Sequence, residues 1–179
     1  MNDIEQQFNI NKQFFNTHKT KDLKFRKHQL KALSKSIKNH EQALLEALKK
    51  DLGKSKVEAY ATEIGILLKS IKLARKELKN WAKTKQVETP LYLFPTKSYI
   101  KNEPYGTVLI IGPFNYPVQL VFEPLIGAIA AGNTAIVKPS ELTPNATEVI
   151  EDIIQDTFEE NYISVIKGGI EETQTLINL

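Results

Sequence analysis

Two short apolar runs constrain this chain more than anything else in it: residues 107–111 (TVLII) and residues 134–137 (TAIV), neither with polar alternation. A strand with one wet face alternates, so uninterrupted runs predict strands of a sheet covered on both faces, and parallel neighbours need a helical crossover. The segment between them supplies one. Gly112-Pro113 breaks the first run, Asn115 and Pro117 follow, an apolar segment continues to Ala131, and Gly132-Asn133 stops it before the second run. The expected unit is strand, turn, helix, strand. The turns that leave the two strands then lie at carboxyl ends, where doubly wound sheets bind ligands.

The rest of the chain arranges itself around this unit. Ile4, Phe8 and Phe15 give a helical stripe over residues 2–17, and Leu23, Leu30, Leu33, Ile37, Leu44, Leu45 and Leu48 predict one helix over 22–50, stopped by Gly53. A third helix is expected over 55–85, with Tyr60, Ile64, Leu67, Leu68, Ile71, Ala74, Leu78 and Trp81 facing a core; a long coiled coil is the competing reading of these stripes. Pro90 and Pro95 bracket LYLF as an edge strand or arm, and residues 96–103 alternate as an extended strand. That arm either pairs with another domain or subunit or forms a surface hairpin. Thr143 is the expected N-cap, with Pro144 at the first helical position, of a helix to Glu160. A strand over 162–166, a Gly168-Gly169 turn and a helix over 171–178 complete an alternating βαβα order, which calls for a further strand. The expected divisions are an N-terminal helical region (1–85), an extended arm (86–103) and an incomplete α/β domain (104–179).

Composition excludes several functions. There is no cysteine, so disulfides, thiolate metal sites and a cysteine nucleophile from these residues are ruled out. His18, His28 and His40 fit no metal-ligand spacing and are expected to face solvent, so no metal site is expected. Through Lys101 there are 22 basic and 10 acidic residues, against 2 and 11 beyond it. Scattered lysines on amphipathic helices account for this better than a nucleic-acid arm, and only Arg26 and Arg75 could form bidentate phosphate forks. No nucleic-acid partner is expected. Glu123 and Pro124 interrupt the longest apolar stretch, and MNDIEQQFNI has no signal-peptide pattern, so no membrane segment and a cytoplasmic location are expected.

Three groups of residues could carry chemistry. Asn115, on the tight turn after the first strand, either points an amide donor at a developing oxyanion or caps its own turn. Lys138, Ser140 and Glu141, just past the second strand, either meet the ribose hydroxyls of a nucleotide or form a solvated loop. Gly169 either turns the chain or lets a sugar or adenine edge approach bare backbone. The turn IGPFNYP lacks G-x-G-x-x-G, so the ordinary dinucleotide fingerprint is absent.

Taken together, EPYGTVLIIGPFNYPVQLVFEPLIGAIAAGNTAIVKPSELTPN closely resembles the aldehyde dehydrogenase superfamily, and its NYP and KPSE forms look like the class 3 branch. KDLKFRKHQLKAL, DLGKSKVEAYATEIG and VIKGGIEET are similar to class 3 segments as well, so the likeness covers nearly the whole chain. The resemblance implies an α/β, aldehyde-dehydrogenase-like fold: N-terminal helices plus an incomplete parallel-sheet Rossmann-type cofactor domain. It implies Asn115 as the oxyanion-hole asparagine, and Lys138, Ser140 and Glu141 as adenosine-ribose contacts of NAD or NADP. Ile111, Pro113 and Phe114 would line the cleft, with Gly169 near the adenine. The implied reaction oxidises an aldehyde substrate to a carboxylate, and Tyr99 with its neighbours would belong to an arm that pairs a homodimer at full length. The family's catalytic cysteine, its general-base glutamate, its G-x-T/S-x-x-G turn and its E-x-F-x-P contact have no counterpart here. The expectation is therefore the N-terminal part of such an enzyme, inactive alone, or a non-catalytic remnant that binds nucleotide or pairs with another subunit.

Overall fold

The computed structural model describes residues 3–179; Met1 and Asn2, where the first helix was expected to begin, lie outside the described residues. Helix α1 runs Asp3–Asn16, and a 3₁₀ turn, Lys19–Lys21, leads into α2, Leu23–Asn39. The Asp22 carboxylate accepts the Lys24 N–H at 2.9 Å, an ordinary N-cap. The single helix expected over 22–50 is two. His40 interrupts it, and α3, Glu41–Leu52, turns away to pack on α7, Pro144–Thr157. At the break the His40 imidazole meets the Ser36 carbonyl at 3.0 Å and Asp156 of α7 at 3.3 Å, which leaves His40 half-buried where a solvent-facing ring was expected.

The third helix has an irregularity. Between α4, Lys56–Ala59, and α5, Gly65–Trp81, the turn Tyr60–Ile64 is widened, and the Gly65 N–H reaches back five residues to the Tyr60 carbonyl. Such π-turns are rare and concentrate at functional sites.

Strand β1, Lys85–Val87, pairs antiparallel with β2, Ser98–Ile100. LYLF is no strand: Leu91–Leu93 form one 3₁₀ turn at the hairpin tip, because the flanking prolines favour a bend there over a ladder. Leu91, Tyr92 and Phe94 are almost wholly exposed on it. Beyond the hairpin, Glu103 binds Lys101 at 2.7 Å and Lys21 at 2.8 Å, tying the arm to the helices. These two lysines hold the Glu103 carboxyl down to about 2. The tether should therefore be intact above the ordinary carboxyl range near pH 4.3 and be lost as pH falls towards 2. An NMR titration of Glu103 reads this directly, and a midpoint in the ordinary range would show that the tether does not form.

Strands β3, Thr107–Ile111, β4, Thr134–Lys138, and β5, Ile163–Val165, form a parallel sheet in the order β3-β4-β5. Helix α6, Gln119–Ala131, and α7 are the crossovers; α8, Ile170–Ile177, follows β5. All five residues of β4 are buried, as the apolar run predicts. Helices α6 and α7 carry α2, α3 and α5 behind them, while α1 lies across all three strands with α8 beside it. Asn11 pins α1 there, donating to the Tyr162 carbonyl at 3.2 Å and accepting from Ser164 at 3.2 Å.

One expected role is overturned, and one possible role is excluded. Thr143 precedes α7 but makes no side-chain cap; its hydroxyl donates to the Ser140 carbonyl, and Asp51 at the end of α3 accepts the Asn145 and Ala146 N–H groups instead. Arg26 is no phosphate fork. It is buried and donates to the carbonyls of Thr20, Lys21 and Ala130, fastening α2 to the end of α6. Gly132, at φ 93°, leaves the room this guanidinium fills.

Candidate functional site

The turns after β3 and β4 lie side by side because the strands do. At the end of β3 the Gly112 N–H donates to the Lys138 carbonyl at 2.9 Å, joining the two turns. A Cβ on Gly112 would run into the Val121 side chain, so only glycine lets the chain turn this close to α6. The turn then exposes Phe114, Asn115 and Tyr116 before Pro117 and α6. Ile111, Pro113 and Phe114 are all exposed at this end of the sheet. The Asn115 side-chain amide makes no hydrogen bond among the described residues, so it does not cap its own turn; its backbone carbonyl accepts the Lys54 ammonium at 2.9 Å.

At the end of β4, Lys138 is almost fully buried and its ammonium binds Glu141 Oε2 at 2.6 Å. That bond holds the Glu141 carboxyl below its ordinary range. The Glu141 side chain remains 45% exposed, which leaves acceptor capacity facing outward. Ser140 is buried and shapes the loop: its hydroxyl accepts the Leu142 N–H at 3.3 Å and its carbonyl the Thr147 hydroxyl at 2.9 Å. Gly169 begins α8, with its N–H given to Glu172 at 2.7 Å and open space where a Cβ would stand. The Glu172 backbone N–H and that of Gly169 hold the Glu172 carboxyl low, and the start of α8 follows β5 at the same end of the sheet.

Two residues at this site escaped the sequence reading. Lys54 and Glu63 form a buried ion pair at 2.6 Å, and Glu63 accepts the Val118 N–H at 2.9 Å and the Gln119 N–H at 3.2 Å. The signal was present, since Glu63 falls on the same helix face as Tyr60, Ile64 and Leu67, a charge in an apolar stripe. A cavity of about 530 Å³ lies elsewhere, between Trp81, Arg26 and Gly127 at the far end of α6. No cluster of metal-ligating side chains occurs among the described residues, and none of their helices is long and apolar enough to cross a membrane.

A βαβαβ unit with polar side chains at the carboxyl ends of adjacent parallel strands has the topology of one half of a doubly wound fold. The aldehyde dehydrogenase family model matches residues 1–178, and the chain belongs to that family. It is 76% identical, over its whole length, to 39% of the 4,4'-diaponeurosporen-aldehyde dehydrogenase of Staphylococcus aureus (strain NCTC 8325 / PS 47). It is 42% identical to mouse aldehyde dehydrogenase family 3 member B3, over 93% of this chain and 35% of that protein, in keeping with the class 3 resemblance. A substrate-bound Staphylococcus aureus AldH structure superposes with a TM-score of 0.98 at 76% identity, covering all of this chain and 39% of that one. Staphylococcus aureus betaine aldehyde dehydrogenase in complex with NAD+ gives a TM-score of 0.81 at 26% identity, over 93% of this chain and 33% of that chain. The chain thus spans well under half the length of these relatives.

Proposed function

We propose that these residues supply the oxyanion donor and the adenosine-ribose contacts for NAD(P)-dependent oxidation of an aldehyde to a carboxylate. The observation that carries this is the free Asn115 amide at the end of β3 beside the Lys138–Glu141 pair at the end of β4. Glu141 accepts from Lys138 through Oε2 while its side chain stays 45% exposed, a fit for vicinal ribose hydroxyls. Its carboxylate repels a 2′-phosphate, so NAD+ is expected to bind more tightly than NADP+. Bound nucleotide would supply the hydride acceptor. Asn115 would donate to the substrate oxygen as that oxygen gains charge, an effect worth about 3–4 kcal/mol in acyl-transfer enzymes. Exposed Ile111, Phe114 and Tyr116 beside it suit an apolar aldehyde.

No cysteine is present to attack the carbonyl, so the chain alone is inactive in this reading. Calorimetric titration of the purified chain should show NAD+ binding, weakened about tenfold or more by Glu141→Gln, as loss of one charge-assisted hydrogen bond implies. No NADH should form with any aldehyde. NADH formation abolished by Asn115→Ala would overturn the inactivity, and absence of nucleotide binding would overturn the site. The exposed apolar tip at Leu91, Tyr92 and Phe94 supports a pairing role for the arm in a cytoplasmic homodimer, which sedimentation of the chain would test.

A further inference from the structure

The backbone of the Asn115 turn is gripped by one ion pair from the helical layer. Lys54 is 8% exposed and Glu63 wholly buried, and their side chains are 2.6 Å apart. Each also reaches the turn. The Lys54 ammonium donates to the Asn115 carbonyl at 2.9 Å and stands 4.0 Å from the centre of the Tyr116 ring. Glu63 Oε1 binds Lys54, while Oε2 takes the Val118 and Gln119 N–H groups, which open α6 and have no partner within that helix. Four of the five residues from Asn115 to Gln119 are therefore held by two side chains of the helical layer.

The local structure is arranged to present them. Gly53, at φ 68°, ends α3 so that Lys54 points inward, and Ser55 caps α4 immediately after it. Glu63 comes from the widened turn, where it and Ile64 are both fully buried. A buried pair is a weak source of stability, since apolar side chains of similar volume often replace one without loss. Holding helices together does not account for it. What apolar side chains cannot reproduce is the hold on the Asn115 carbonyl and the two amides.

The geometry points to Lys54 and Glu63 as positioning residues that set the direction of the Asn115 amide. The inference rests on Asn115 being the oxyanion donor; the clamp itself does not. Donors of this kind work only when fixed before charge develops, which makes the rigidity of the turn a requirement of the reaction.

The test uses hydrogen exchange followed by NMR on the isotope-labelled chain. In the wild type, the Val118 and Gln119 amides should be protected. In Lys54→Met/Glu63→Leu they should exchange at least tenfold faster, and the Asn115 carbonyl resonance should shift, while β4 amides and NAD+ affinity stay unchanged. The charge swap Lys54→Glu/Glu63→Lys separates positioning from simple pairing: it restores an ion pair but sets an ammonium against two N–H groups, so turn protection should stay lost. Recovery in the swap, wild-type exchange in the Met/Leu variant, or unprotected amides in the wild type would each overturn the clamp. Where a double variant does not fold, Glu63→Gln gives the same comparison against the β4 amides. Failure of the wild type to bind NAD+ would instead sink the reading of the nucleotide site and leave the clamp standing.

Discussion

Glu63→Ala should destabilise the chain by about 3–5 kcal/mol, read as a fall in the urea midpoint with an unchanged slope. The loss does not come from one missing attraction. Without the carboxylate, the Lys54 ammonium stays 8% exposed with only the Asn115 carbonyl and the Tyr116 ring for company, and the Val118 and Gln119 N–H groups lose their acceptor. An unpaired buried charge and unmet amides are among the few defects that reach this size. Against a total stability of about 5–15 kcal/mol for a domain of this kind, the variant would lie close to unfolding at ordinary temperatures. The Met/Leu double variant, with both charges gone, should lose far less. A loss of under about 1 kcal/mol for Glu63→Ala would mean that water reaches the pair and screens it.

Tyr162 is the second position of large effect, and its two substitutions should differ in sign. The ring is 1% exposed and stacks with Phe14, Phe25 and Phe158 at centroid distances of 5.5, 5.1 and 5.8 Å, joining α1, α2 and the end of α7 to β5. Tyr162→Ala would open a ring-sized cavity and cost about 3–5 kcal/mol. The hydroxyl, however, has no hydrogen-bond partner among the described residues, and burial pushes the phenol above its usual range. Tyr162→Phe removes that unmet group and should stabilise by about 1 kcal/mol, seen as a raised melting temperature. A lowered melting temperature would show that ordered water satisfies the hydroxyl.

What the sequence made legible was local. The runs at 107–111 and 134–137, with the breakers between them, gave β3, α6 and β4 in the right order, because two buried strands and a crossover leave a pattern within one short stretch. Asn115, Lys138 and Glu141 became candidates by their place just past those strands, and the roles proposed for them came from the family resemblance. The failures share a cause in distance along the chain. His40, where α2 gives way to α3, meets Asp156, and Asp51 takes the capping role expected of Thr143. Nothing local marked Arg26 as buried, and its carbonyl partners include Ala130, 104 residues away. Glu63 did announce itself, as a charge within an apolar stripe. Lys54 lay among other lysines with nothing to distinguish it until the fold brought it beside Asn115.

The hold of Asn11 on Tyr162 fixes an order of events during synthesis. The two residues are 151 positions apart, so α1 is made well before the strand it is fastened to. At about 5–20 residues per second, about eight to thirty seconds separate them. Each βα unit can add to the sheet as it emerges, since β3, β4 and β5 are neighbours in space and consecutive in the chain. Helix α1 is made before any of them and also meets β3 and β4, so it must wait for that first pair before its apolar stripe has a sheet to lie on. The Asn11 bonds that fix its position wait longer still, for Tyr162 and Ser164.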